Sequence, residues 1–98
     1  LLEINLQISD HNAKFYGDLT RHTLLSISSD ELDLLWANDY TLIDLSALNT
    51  VDTAGLAWLL YLLEQAQARS SRIEFTQLPA KLINLIQLSG VNGLLPIK

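Results

Sequence analysis

The sequence predicts an α/β domain in which a mixed sheet carries helices, in the order β-β-α-β-α-β-α. Three observations lead there. Residues 2–9 and 13–19 alternate apolar with polar side chains, the period of half-buried strands. A short apolar run, Leu42–Leu45, leads through a polar connection into a long apolar-rich helix that begins near Thr53. Beyond that helix residues 72–77 alternate again, so a helix separates two strands; strands joined in this way run parallel with a right-handed crossover. With 98 residues the chain makes one domain, 1–98, with one core.

In the first strand Leu2, Ile4, Leu6 and Ile8 share one face, with Glu3, Asn5, Gln7 and Ser9 on the other. Asp10-His11-Asn12 has turn composition. Ala13, Phe15, Gly17 and Leu19 then alternate with Lys14, Tyr16 and Asp18, which makes the second strand the antiparallel partner of the first. Residues 20–38 predict a helix distorted near Ser28, because Ser26 to Asp30 is a poor helix interior. Ser28 or Ser29, followed by Asp30 and Glu31, forms a fresh N-cap there.

The central strand Leu42-Ile43-Asp44-Leu45 contains one carboxylate. Asp44 is expected at its C-terminal end, bonded to the connection of Ser46, Asn49 and Thr50, and is a candidate contributor to a site with Asp52 and Thr53. At the helix start Asp52 is the expected N-cap, and the first N–H groups and the peptide dipoles make that end electropositive. Thr53 stands at the mouth of this anion-favouring end, where Ala54 and Gly55 would let another surface approach closely. Helical periodicity puts Leu56, Leu59, Leu60, Leu63 and Ala66 on the core side and Ala54, Trp58, Tyr61, Leu62 and Gln65 opposite. Trp58, Tyr61 and Leu62 need cover on that outer side, from a second helix or, the favoured reading, from a partner protein. Ser70-Ser71 ends the helix. Pro79 opens a last one that Gly90 stops, and Val91, Leu94, Leu95 and Ile97 close the core.

Composition narrows the function. Hydrophobic content of 49% with 17% charged residues belongs to a globular chain. The six basic residues are scattered through a chain of net charge −5, so none lines a track for a phosphate backbone and nucleic acid is not an expected partner. An anionic membrane surface would repel the chain, and its longest apolar run, Leu56–Leu63, is too short to span a bilayer. No cysteine is present for staples, thiolate metal sites or nucleophiles. The expected location is cytoplasmic. His11 and His22 lack ligands at metal spacing, Asp30, Glu31 and Asp33 read as a solvated first turn, and no phosphate loop, nucleophile elbow or dinucleotide fingerprint occurs. The reading is of a non-enzyme that uses no cofactor.

The order of elements, the Leu42-Ile43-Asp44-Leu45-Ser46 strand, Val51-Asp52-Thr53-Ala54-Gly55-Leu56 and Phe15-Tyr16-Gly17-Asp18-Leu19 together resemble the STAS domain family of sulfate transporters and anti-sigma factor antagonists. The resemblance is strongest to the small cytoplasmic STAS subunit of Mla-type phospholipid ABC transporters, which shares the leucine-rich helix and a Leu-Leu-Pro like Leu94-Leu95-Pro96. It implies a single STAS-like domain, peripheral to the inner membrane through its partners. Those partners would be the transporter's ATPase subunit and, through it, a membrane permease. The docking face would comprise Asp52, Thr53, Ala54, Gly55, Trp58, Tyr61 and Leu62. The alternative it implies is an anti-sigma factor antagonist, with Thr53 as phosphoacceptor for an anti-sigma factor kinase; there the antagonists usually carry Ser.

Overall fold

The sheet sets the architecture. A computed structural model describes residues 3–98; Leu2, assigned above to the first strand, lies outside them. The strands β1 (Ile4–Ser9), β2 (Asn12–Leu19), β3 (Tyr40–Val51) and β4 (Arg72–Thr76) lie side by side in sequence order. β1 and β2 form the antiparallel hairpin, while β2–β3 and β3–β4 are parallel. A helix joins each parallel pair: α1 (Ser29–Trp36) before β3 and α2 (Thr53–Ala68) before β4; α3 (Ala80–Leu88) follows the sheet.

Alternation along the strands divides the sheet into two faces. Ile4, Ala13, Phe15, Ile43, Leu45, Ile73 and Phe75 are buried beneath the helices, together with Leu35, Leu56, Leu59, Leu62, Leu82 and Ile86. On the opposite face no helix packs among the described residues, and polar and aromatic side chains pair with one another. Lys14 lies 3.9 Å from Asp44, the Tyr40 hydroxyl donates to Glu74 at 2.8 Å, and the Arg72 guanidinium stands 5.1 Å over the Tyr40 ring.

Three local outcomes depart from expectation. The segment Ser46–Val51, read as a connection, belongs to β3; its register against β2 shifts between Lys14 and Tyr16 and again between Gly17 and Asp18. Parallel pairing to β2 supplies backbone partners that its polar composition does not announce. Gly17 sits at this irregular stretch with φ +103, and a Cβ there would overlap the Glu3 carbonyl oxygen across the hairpin. Second, residues 20–27 form no α-helix. Thr23 and Ser26 bond to nearby carbonyls, and only Leu24–Ser26 makes a 3-10 turn, because short hydroxylated side chains compete with helical backbone pairing. The α-helix starts where the cap was read: Ser28 and Glu31 form a reciprocal capping box. Third, the tail contributes a single bridge beside β4. Phe75 N–H donates to the Pro96 carbonyl and Lys98 N–H to the Phe75 carbonyl, both at 2.8 Å, which seats Leu95 in the core.

Candidate functional site

β3 delivers the chain to the start of α2, and Asp52 fixes the junction. The Gly55 N–H donates to Asp52 Oδ1 at 2.8 Å, the N-cap bond that a helix start requires. Its other carboxylate oxygen accepts from the Arg21 N–H at 3.0 Å, which ties the loop after β2 to the same helix end. Partial burial opposes ionisation of this carboxyl. The Arg21 and Gly55 N–H groups and the Arg21 charge outweigh it, holding Asp52 below the usual carboxylate range.

Gly55 lets α2 approach the end of β2 closely. A Cβ at this position would overlap the Leu19 carbonyl oxygen. The close approach that glycine permits is therefore made by the chain's own β2 end. Gly55 is buried and presents nothing to a partner; it seats the helix so that its neighbours face outward in a fixed direction.

That direction differs from the sequence expectation. The enclosed residues of α2 are Gly55, Leu56, Leu59, Leu62 and Ala66, while Leu60 and Leu63 are half-buried. Leu62, expected on the outer side, is wholly enclosed and cannot contact another protein. α2 is apolar nearly all round, so its composition does not set its rotation. Contact with α3 and the Gly55–Leu19 approach do. Trp58, expected to face a partner, is half-buried, its ring edge-on to Phe15 with centroids 5.6 Å apart. Only part of its indole reaches the surface.

What faces solvent is a line of residues spaced by four: Thr53, Ala57 and Tyr61, with Ala54 and Trp58 along its margin. Thr53 is exposed in the first turn, and Tyr61 is 48% exposed. The loop held by Asp52 adds exposed Arg21 and His22, and its 3-10 turn carries Leu25, fully exposed. Ala57 and Leu25 were not singled out from the sequence. The spacing of four from Thr53 could have found Ala57, whereas nothing local marks Leu25, whose exposure follows from the missing helix.

Asp44 does not join this site. It lies within β3 on the open sheet face, where it accepts from the Ser46 N–H at 2.7 Å and makes no bond to Asn49 or Thr50. Burial disfavours its charge, but the Ser46 hydrogen bonds and Lys14 prevail and keep it low. With Gln7, Asn12, Lys14, Leu42 and Thr76 it lines a shallow concavity of about 450 Å³. Among the described residues no three His, Asp or Glu side chains gather to hold a metal ion, and no helix is long and apolar enough to cross a membrane.

A helix start presented beyond the end of a mixed four-stranded sheet, with an exposed hydroxyl as its second residue after the strand, marks the chain as a small α/β domain. The solved structure of an anti-sigma-factor antagonist (STAS) domain protein from Planctomyces limnophilus superposes with a TM-score of 0.70 at 11% identity, over 100% of this chain and 90% of that one. No curated protein matches the sequence. The family model described as "Mlab, STAS domain" matches residues 6–96. The chain belongs to the STAS domain family, of the MlaB-like kind.

Proposed function

We propose that this chain is the non-catalytic STAS subunit of a phospholipid-transporting ABC complex of the Mla type, which docks on the ATPase subunit through the amino end of α2. The observation that carries the reading is the exposed line Thr53–Ala57–Tyr61, held in place by the Asp52 cap and the Gly55 contact and free of any contribution to the core. The match to the family model described as "Mlab, STAS domain" supports the reading. Docking would steady the ATPase and, through it, the permease, at the cytoplasmic face of the inner membrane, in support of outer-membrane lipid asymmetry.

The test is co-purification with the ATPase and permease subunits of an Mla-type transporter expressed in the same cells. Thr53→Ser should retain the complex. Thr53→Glu, which adds bulk and charge at the contact, should weaken it about tenfold or more. Recovery of this subunit without an ATPase or permease, from cells expressing all of them, would overturn the proposal.

A second reading rests on one further property of the same residue. An exposed hydroxyl in the first turn of a helix suits a phosphate, whose charge the N–H groups and dipole favour. The chain would then be an anti-sigma factor antagonist switched by phosphorylation of Thr53. Intact-mass measurement across growth conditions decides it, and a mass that never carries phosphate sets it aside.

A further inference from the structure

Among the described residues β1 is an edge of the sheet, and its outward side is unpaired. The Glu3 carbonyl accepts from the Asp18 N–H at 2.8 Å, which fixes the phase of the hairpin ladder. Hydrogen-bonded and non-hydrogen-bonded pairs alternate in an antiparallel ladder, so Glu3, Asn5 and Gln7 turn their backbone groups toward β2. Ile4, Leu6 and Ile8 turn theirs away from the sheet, and among the described residues nothing bonds to them. At the other edge β4 is partly capped by the Phe75–Ile97 bridge. β1 has no such cover, nor a proline, a lysine or a register shift to blunt it. Leu6 and Ile8 point toward the helical layer yet remain half exposed, since that layer stops short of the edge.

We propose that β1 is a homodimerisation edge, with two copies pairing antiparallel about a twofold axis at Leu6 to make one continuous eight-stranded sheet. The occupant is a second copy because the strand complements itself in this register. Leu6 meets Leu6 of the second copy, Ile4 meets Ile8, Asn5 meets Gln7 and Glu3 meets Ser9. No like charges oppose each other there, although each chain carries a net charge of −5. The outward groups of Ile4, Leu6 and Ile8 all find partners, and the half-exposed apolar side chains of the two copies cover one another. A slip of one residue would set Leu6 and Ile8 against the polar face, which disfavours the neighbouring registers. In the proposed register Asn5 and Gln7 form the close, non-hydrogen-bonded pairs, where side-chain charge acts most strongly.

Sedimentation velocity of the isolated protein, from dilute to concentrated, should show a reversible monomer–dimer equilibrium. Asn5→Lys with Gln7→Lys sets lysine against lysine at both symmetry-related pairs and should weaken the dimer roughly tenfold. Asn5→Lys with Gln7→Glu sets lysine against glutamate and should restore it. Asn5 and Gln7 are exposed, but Gln7 lies opposite Lys14 in the hairpin, so thermal melts must show that both variants keep the fold. The double-lysine variant also lowers the overall negative charge and so eases long-range repulsion; any weakening it shows must arise locally. A wild-type chain that stays monomeric at every concentration overturns the proposal, as does a dimer indifferent to both variants.

Discussion

Asp52, Thr53 and Gly55 divide three tasks within one helical turn, and the division decides what substitution does at each. Asp52 satisfies backbone donors from two segments, Gly55 and Arg21. Thr53 touches neither and points outward. Gly55 carries the packing, and its replacement by alanine has a determined outcome. The added methyl meets the Leu19 carbonyl oxygen and lies close to the Val51 side chain, and a backbone atom at a strand end cannot swing aside as a flexible side chain can. Gly55→Ala should therefore destabilise the domain by about 1–3 kcal/mol, the usual size for overpacking, despite alanine's better helix propensity. Urea unfolding measures it, and an unchanged or raised midpoint would show that the contact between α2 and β2 is loose. Thr53→Ser in the same assay should be nearly neutral.

At the scale of the element, α2 separates what a sequence can say from what it cannot. Its start and cap were legible, because an Asp with a free backbone N–H three residues on is a local arrangement. Its rotation was not. A helix with leucine at 56, 59, 60, 62 and 63 offers several apolar stripes of similar quality, and which one turns inward depends on α3 and on Leu19, both remote in sequence. The same limit explains β3, whose polar second half became a strand through pairing with β2, and Asp44, which moved with it from a strand end to an open sheet face. Strands β1, β2 and β4 and the Ser28 cap were legible because their signals are periodic or local. The observed rotation makes its own prediction. Tyr61→Ala and Ala57→Arg alter the exposed line and should each weaken ATPase capture about tenfold while leaving the thermal midpoint within a degree or two. Leu62→Ala should do the reverse, lowering stability by about 2–5 kcal/mol from an enclosed site while the remaining folded protein binds normally. Equal binding losses without unfolding in all three would mean that the helix is turned otherwise.

For the whole molecule, the three carboxyls held low among the described residues lie in two places, two on the open sheet face and one at the start of α2. Asp44 is on the open sheet face, Asp52 at the start of α2, and Glu74 on β4 beneath Tyr40 and Arg72. The Tyr40 hydroxyl is the chief influence on Glu74 and, with Arg72 and Lys98, outweighs the opposing effect of burial. Each group binds a proton less readily folded than unfolded. Each therefore contributes stability that is present above its unfolded value, about 3.9 for Asp and 4.3 for Glu, and is lost as pH falls through the lower folded value. The thermal midpoint should hold level from neutral pH to about 5 and then drop as the medium is acidified further. Repulsion will not start the decline, since the composition gives an isoelectric point of about 4.6, where the chain is close to neutral. Asp52→Asn removes the charge and leaves one acceptor oxygen, enough for the Gly55 or the Arg21 N–H but not for both. The variant should lie below the wild type at pH 7 and come close to it in acid, where the protonated carboxyl has likewise lost its charge and the second full acceptor. Parallel curves, displaced equally at every pH, would mean that Asp52 acts only as a neutral cap and that acid unfolding begins elsewhere in the sheet.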